Sequence, residues 1–274
     1  MTDMTAMPGA GEAKTIFDIG LHEGCDAEFY LKKGFRVVAL EANPQLAAVA
    51  MSRLRNDVET GRLVVVNKAL ASQSGGSIPF YIRTDKDGWS SIYRNSAERD
   101  GQASTRVDIE AVTMGDLVAR YGVPYFLKCD IEGAEPIVLT QIAEAPERPR
   151  FVSVECFGEH GGEAVDLLVK AGYAHFQIVN QSYLALNKLP YPPREGAYVP
   201  MTFHGKMSGL FGEELEPAFW VGQDEVRRQL AGWHKLKAEE IDPVRRFLFR
   251  RYGKLTGRGW LIGRGWVDVH ARLA

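Results

Sequence analysis

The stretch Lys14-Thr15-Ile16-Phe17-Asp18-Ile19-Gly20-Leu21-His22-Glu23-Gly24, followed by Arg36-Val37-Val38-Ala39-Leu40-Glu41, decides the fold. Ile16, Phe17 and Ile19 read as a short buried strand. It stops at Gly20, where the chain can turn tightly and a ligand can approach the backbone. A helix over 24–33 is expected next, with Gly34 as its C-terminal stop. Residues 36–40 form a second apolar strand, Pro44 opens a second helix to about residue 56, and 62–66 form a third strand. Strands this apolar, separated by amphipathic helices, predict a parallel sheet covered on both faces.

Further along, the rhythm changes. Ile78, Phe80 and Ile82 alternate with other residues, and so do Val107, Ile109 and Ala111. They predict an antiparallel pair joined by a long loop, 83–106, that contains Trp89-Ser90-Ser91; loops of that length are more often functional than idle. Thr113 and Asp116 form a capping-box signature for a helix over 115–121. Residues 125–129 give a fourth parallel strand ending in Asp130-Ile131-Glu132-Gly133-Ala134-Glu135, and a helix follows to about 145. A fifth strand, 151–154, ends at Glu155, and a helix near 164–171 and a strand near 175–179 come after it.

Beyond residue 183 the prolines at 190, 192, 193 and 200 predict an irregular stretch, and 224–238 a helix. Residues 241–274 carry eight Lys/Arg against two Asp, with Phe247, Phe249, Tyr252, Trp260 and Trp266. This tail either packs its aromatics on the domain and solvates its arginines or offers a contact surface to an anionic substrate or partner, with nucleic-acid binding the least favoured reading. The expected organisation is therefore a flexible N-terminus over 1–13, a cofactor-binding core over 14–182, and an extension over 183–274 with acceptor-side loops and the basic aromatic tail.

Composition bounds the function. The 274 residues are 45% hydrophobic and 25% charged, enough for one α/β domain of roughly 200 residues plus an appendage. A net charge of −2 speaks against wholesale capture of nucleic acid. No apolar run approaches the ~18 residues of a membrane-spanning helix. The start has no basic segment followed by an apolar one, so no secretory signal is expected. Cys25, Cys129 and Cys156 are an odd number without a CxxC spacing, which fits a reducing compartment and a cytoplasmic location.

Glu41 stands 21 residues after Gly20 at a strand's carboxyl end, where a carboxylate can accept hydrogen bonds from both hydroxyls of a ribose. The pattern indicates a nucleoside; the alternative is that Asp18 and Glu41 only cap elements. A nicotinamide dinucleotide wants G-x-G-x-x-G so that its pyrophosphate reaches the helix N-terminus. Here Leu21 stands where an early second glycine would, and Glu23 lies near the anion's place. S-adenosylmethionine has a ribose, no phosphate, an ammonium and a cationic sulfur, which suit an acidic loop with Asp18 and Glu23 better. A nicotinamide-dependent oxidoreductase and a non-catalytic binding module remain the alternatives.

The ordered elements Phe17-Asp18-Ile19-Gly20, Leu40-Glu41-Ala42-Asn43-Pro44, Asn67-Lys68-Ala69-Leu70, Trp89-Ser90-Ser91-Ile92, Leu127–Glu135 and Phe151-Val152-Ser153-Val154-Glu155 resemble the FkbM family of S-adenosylmethionine-dependent methyltransferases. The resemblance covers about 14–156. It departs at Leu21-His22-Glu23-Gly24, where the family usually has Ala-Asn-x-Gly. It implies a doubly wound, mostly parallel, seven-stranded Rossmann-like sheet with the antiparallel pair inserted and an irregular, helical C-terminal appendage. It also implies S-adenosylmethionine as cofactor and O-methylation of a sugar, glycan or natural-product hydroxyl. The cofactor-binding set that follows is Asp18, Gly20, His22, Glu23, Glu41, Asn43, Asn67, Ala69, Ser91 and Asp130.

Methyl transfer to a neutral hydroxyl gains from a general base in hydrogen-bond reach. Asp130, at the end of the fourth parallel strand, is the first candidate, with Glu132, Glu155 and His160 as alternatives on neighbouring strand ends. Capping the following helix and holding the cofactor's ammonium are the alternative roles for Asp130. The spacing of the four residues is not diagnostic of a metal site, and no metal is assigned. The expected partner is a small-molecule or glycan acceptor; nucleic acid and membrane spans are not expected, and oligomerisation stays open.

Overall fold

Residues 13–156, 160–238, 251 and 266–274 are described by the computed structural model. In chain order the elements are β1 (Thr15–Ile19), α1 (Cys25–Lys32), β2 (Arg36–Leu40), α2 (Pro44–Arg53), α3 (Arg55–Glu59), β3 (Leu63–Val66), β4 (Ala69–Leu70) and β5 (Ser77–Ile82). Then come α4 (Arg94–Ala97), β6 (Thr105–Val112), α5 (Met114–Tyr121), β7 (Phe126–Cys129), α6 (Glu135–Glu144) and β8 (Phe151–Cys156). The chain ends with α7 (His160–Lys170), β9 (His175–Asn180), α8 (Gln223–Ala238) and β10 (Val267–Arg272).

The main sheet has seven strands in the order β3-β2-β1-β7-β8-β10-β9, parallel except for β10, which runs antiparallel to both of its neighbours. This is the expected α/β class. Strand side chains alternate between faces, so one face carries Phe17, Ile19, Leu127 and Val152 under α5, α6, α7 and α8. Ile16, Val37, Phe126 and Phe151 point the other way, under α1 and α2. The inserted pair is present: β5 and β6 are antiparallel, and β4 joins β6 in a small second sheet. Thr113 caps α5 as its spacing predicts; its hydroxyl accepts from the Asp116 N–H at 3.1 Å, and the Asp116 carboxylate accepts from the Thr113 N–H at 2.9 Å.

Three local expectations change. The 83–106 connection is not an open loop. Fully buried Arg83 organises it, donating to the Ala97 carbonyl at 2.6 Å and pairing with Asp85 and Asp100 at 2.8 and 2.7 Å. The irregular stretch after 183 is part of the core, because Phe203 and Phe211 stack edge-on against Phe29 at 5.2 and 5.9 Å. The chain's end is not an appendage either, since β10 fills the gap between β8 and β9. Six residues of Val267–Arg272 were hidden by the basic, aromatic composition that precedes them. Most of that tail, including Arg245, Arg246, Arg250, Phe247, Phe249, Tyr252 and Trp260, lies outside the described residues, as do residues 1–12.

A buried ion pair ties the irregular stretch to α1. The Lys33 ammonium and the Glu214 carboxylate meet with no solvent exposure on either side chain, and Lys33 also donates to the Ala197 carbonyl at 3.0 Å. Removing one partner of such a pair strands a buried charge at a cost of about 3–5 kcal/mol. Glu214→Ala is therefore expected to lower the thermal midpoint steeply. A double replacement, Lys33→Met with Glu214→Leu, should recover most of it in the same melting experiment. Equal midpoints for Glu214→Ala and the parent chain would contradict the burial.

Candidate functional site

Side-chain alternation creates the site. On the face that carries Ile16 and Phe126, the side chains switch from apolar to polar toward the carboxyl ends of the parallel strands: Asp18 on β1, Lys128 on β7, Ser153 and Glu155 on β8, joined by Asp268 at the amino end of the antiparallel β10. Register makes them neighbours, since Asp18 pairs with Lys128, Lys128 with Ser153, and Glu155 with Asp268. A cleft of about 370 Å³ opens above this polar stripe. Its walls come from the β1–α1 turn, the end of β2, the 86–92 segment of the insert, the turn after β7, the 205–208 turn and Trp266.

The β1–α1 turn needs its glycine. Gly20 has φ +94°, and a Cβ there would stand 1.8 Å from the Asp130 carbonyl oxygen. His22 and Glu132 are the non-glycine residues with φ in the left-handed region among the described residues, at 53° and 55°. Both line the cleft, where a strained backbone of about 1–3 kcal/mol per residue must be held by its surroundings. For His22, the hold is its N–H donating to Glu41 Oε2 at 2.7 Å and its Nε2 lying 3.2 Å from Asp87. For Glu132, it is the Ser91 hydroxyl donating to its carbonyl at 2.9 Å and Arg99 on its carboxylate at 2.8 Å. Glu135 closes the same turn by accepting from the Ile131 and Gly133 N–H groups, both at 2.9 Å.

Glu41 fits a ribose. Its Oε1 accepts from the Asn43 N–H at 2.8 Å and its Oε2 from the His22 N–H at 2.7 Å, so the carboxylate is fixed in orientation at the cleft wall. Each oxygen keeps a further lone pair for a hydroxyl donor. Burial pushes its pKa above the usual carboxylate range, and the two backbone donors oppose that. A nucleoside bearing a short amino-acid chain and no phosphate meets here an acidic cleft with no glycine-rich phosphate cradle, so the residues present suit S-adenosylmethionine.

At the other end, oxygens of Asp130, Glu132 and Glu155 lie within 4.8 Å of one another. Three carboxylates this close cannot all ionise near neutrality. Burial first, then Asp130, pushes Glu132 up to about 8 against the pull of Arg99. Glu155 is held well above the usual carboxylate range by burial and by Asp130, with which it shares a hydrogen bond. Asp130 has the open position, with its side chain 34% exposed.

This arrangement makes stability pH-dependent. A carboxyl that keeps its proton to about pH 8 when folded, but loses it near 4.5 when unfolded, stabilises the fold fully below 4.5. The contribution is lost as pH rises towards 8. Glu132→Gln removes the proton linkage while its amide oxygen can still accept from Arg99. The midpoint difference between variant and parent should thus be small near pH 4.5 and grow in the variant's favour up to pH 8. A pH-independent difference would show that Glu132 ionises normally.

Of the residues expected from sequence, Gly20, His22, Glu41, Ala69, Asp130, Glu132 and Glu155 meet at the cleft. Asp18 is completely buried beneath it, and burial pushes its carboxyl up to about 7 against the opposing Lys128. Glu23 points outward to Lys206 at 2.7 Å. Asn43 caps α2, its Oδ1 accepting from the Gln45 N–H at 3.0 Å. Asn67 donates from Nδ2 to the Glu41 carbonyl at 2.7 Å, and Ser91 acts on the Glu132 turn. His160 opens α7, and its side chain lies outside the described residues. Sequence reasoning assigned no role to Lys128, Asp26 or Arg99, and it placed Trp89 in a functional loop without a role of its own. Arg99 and Lys86 cover Trp89 at 3.8 and 3.9 Å from the ring centre, and Lys86 and Trp89 line the cleft.

Residues 18–175 match the family model described as Methyltransferase FkbM domain. No curated protein matches the chain. Among solved structures it is similar to precorrin-6y C5,15-methyltransferase from Geobacter metallireducens GS-15, at 14% identity and TM-score 0.38, over 62% of this chain and 69% of that one. It is similar to a TehB-like SAM-dependent methyltransferase from Corynebacterium glutamicum, at 11% identity and TM-score 0.35, over 70% and 77%. A third likeness is to the StiE O-MT segment, at 11% identity and TM-score 0.40, over 95% and 68%. No helix among the described residues is long and apolar enough to cross a membrane.

Proposed function

Because the chain belongs to the FkbM methyltransferase family, whose cofactor is S-adenosylmethionine, we propose that it methylates a hydroxyl of a small polyhydroxylated acceptor, a sugar, glycan or natural product. The observation that carries this reading is the part-exposed Asp130 carboxylate, set in one cleft with Glu41 and flanked by Glu132 and Glu155. The bound cofactor supplies a methyl group activated by its sulfonium. The chain supplies orientation and a proton acceptor.

Glu41 accepts the ribose hydroxyls, with Asn43 and His22 fixing its oxygens through their N–H groups. Asn67 secures the Glu41 backbone from behind. Asp130 takes the acceptor hydroxyl's proton as the methyl group passes to that oxygen; the methyl–sulfur bond breaks, its electron pair stays on sulfur, and a methyl ether, S-adenosylhomocysteine and a protonated Asp130 remain. Glu132 holds a proton and can donate to another oxygen of the acceptor, while Glu155 gives its proton to the hydrogen bond with Asp130; a second donor beside the reacting hydroxyl favours a substrate with several hydroxyls over a lone alcohol. The 86–92 segment, the 205–208 turn and Trp266 form the acceptor wall. No divalent ion is part of this reading.

Calorimetry with S-adenosylhomocysteine, followed by methyl transfer to a panel of sugars and glycosides, tests it. Binding plus a methyl ether product supports the reading. Tight binding with methylation at nitrogen only, or with no transfer, would replace the hydroxyl acceptor by an amine or by a binding role.

A further inference from the structure

Lys128 is a buried ammonium at the floor of the cleft, and the proposed chemistry leaves it without a task. Its side chain is 6% exposed. Its Nζ donates to the Gly20 carbonyl at 3.1 Å and lies 3.3 Å from Asp18, 3.6 Å from Asp26 and 3.7 Å from Asp130. These partners come from different elements: the β1–α1 turn, β1, α1 and the end of β7. Asp26 in turn accepts the Ser208 N–H at 2.9 and 3.1 Å, so the same network reaches the 205–208 turn. Among the described residues, the oxygens of Asp18 have no other hydrogen-bond partner.

We infer that Lys128 is a positioning residue: its ammonium locks the cofactor-side turn at Gly20 to Asp130, and it keeps the negative charge of the carboxylate cluster on Asp130. This rests on the reading of Asp130 as the proton acceptor. The physical reason is position. Asp130 is the one member of the Asp130, Glu132 and Glu155 group with a recorded contact to the ammonium, while Glu132 answers to Arg99. A cation at that distance favours the ionised form of the carboxylate beside it. Without it, the acidic groups Glu132, Glu155, Asp268 and Asp26 would act on Asp130 unopposed by that cation. Asp18 behind Lys128 and Glu41 across the cleft complete the charged groups around the ammonium. Burial opposes a charged Lys128, and the surrounding carboxylates overcome it, so the ammonium stays protonated.

The test follows one carboxyl directly. Protein labelled with ¹³C at aspartate carboxyls is titrated by NMR, and the Asp130 resonance is assigned by its loss in Asp130→Asn. In Lys128→Gln, which keeps a donor for Gly20 but no charge, the Asp130 midpoint should rise by about one pH unit or more. Affinity for S-adenosylhomocysteine should fall by roughly tenfold as the Gly20 turn loosens. Should Lys128→Gln not fold, the double replacement with Asp18→Asn strands less buried charge, still lacks the ammonium, and should show the same rise. A merely structural lysine would lower the melting midpoint and leave the titration where it was, which would overturn the inference. The titration needs no acceptor, so failure of hydroxyl methylation in the parent protein is a separate result.

Discussion

Asp130→Asn lowers turnover by about 10²–10⁴-fold, the range for loss of a general base, while affinity for S-adenosylhomocysteine changes far less. The substitution is nearly isosteric. Its amide oxygen can still face Lys128, whose Nζ lies 3.7 Å from the native carboxylate, so the floor of the cleft keeps its shape. What disappears is basicity at a side chain that reaches the cleft. Two other roles predict different patterns. If Asp130 held the cofactor's ammonium, affinity would drop strongly and saturated turnover would survive. If the Asp130, Glu132 and Glu155 oxygens worked through a divalent ion, a chelator would abolish activity and Mg²⁺ or Mn²⁺ would restore it. Turnover and affinity measured with and without chelator separate the three; we expect a turnover loss in the variant and no chelator effect in the parent. Parent-like kinetics in Asp130→Asn would leave Glu132 or Glu155 as the base.

The parallel strands were legible because a doubly wound sheet prints its period on the chain. Apolar runs at 15–19, 36–40 and 63–66 alternate with helices whose caps, Pro44 and Thr113, carry their own chemistry. β10 was not legible. Its six residues follow a long basic segment, and an antiparallel strand carries none of the strand–helix alternation that marks the parallel ones. The cofactor end of the site was readable for a related reason. Gly20 and Glu41 sit at strand ends whose spacing the sheet fixes. Lys128 was quoted as part of a motif and passed over as a reporter of position. A lysine in the third place of a four-residue buried strand, level with an aspartate one strand away, is itself the signal that two charges meet beneath a cleft. Arg99, Asp87 and Lys206 could not be found from sequence, because each reaches the site from an irregular segment whose path is set by tertiary contacts.

The ribose-binding role of Glu41 predicts the second large effect. Glu41→Ala should weaken S-adenosylhomocysteine binding by about 2–4 kcal/mol, roughly 30- to 1000-fold, through loss of two charge-assisted hydrogen bonds. Geometry adds a second contribution. The same carboxylate holds the N–H of His22, whose φ of 53° needs support, and the N–H of Asn43, which caps α2. Removing it frees the turn that shapes the cofactor side of the cleft, so Ala should cost more than the ribose contacts alone. Glu41→Gln separates the two contributions. Its amide oxygen can keep one backbone N–H, but its NH₂ faces the other donor and can accept from no ribose hydroxyl. Affinity should therefore fall in both variants, with Gln the milder. A 2′-deoxy analogue should lose affinity against the parent protein and little against Glu41→Ala, because the partner of that hydroxyl is already gone. If the analogue lost the same factor against both proteins, the ribose would be recognised elsewhere, and Glu41 would be a clamp for the β1–α1 turn alone.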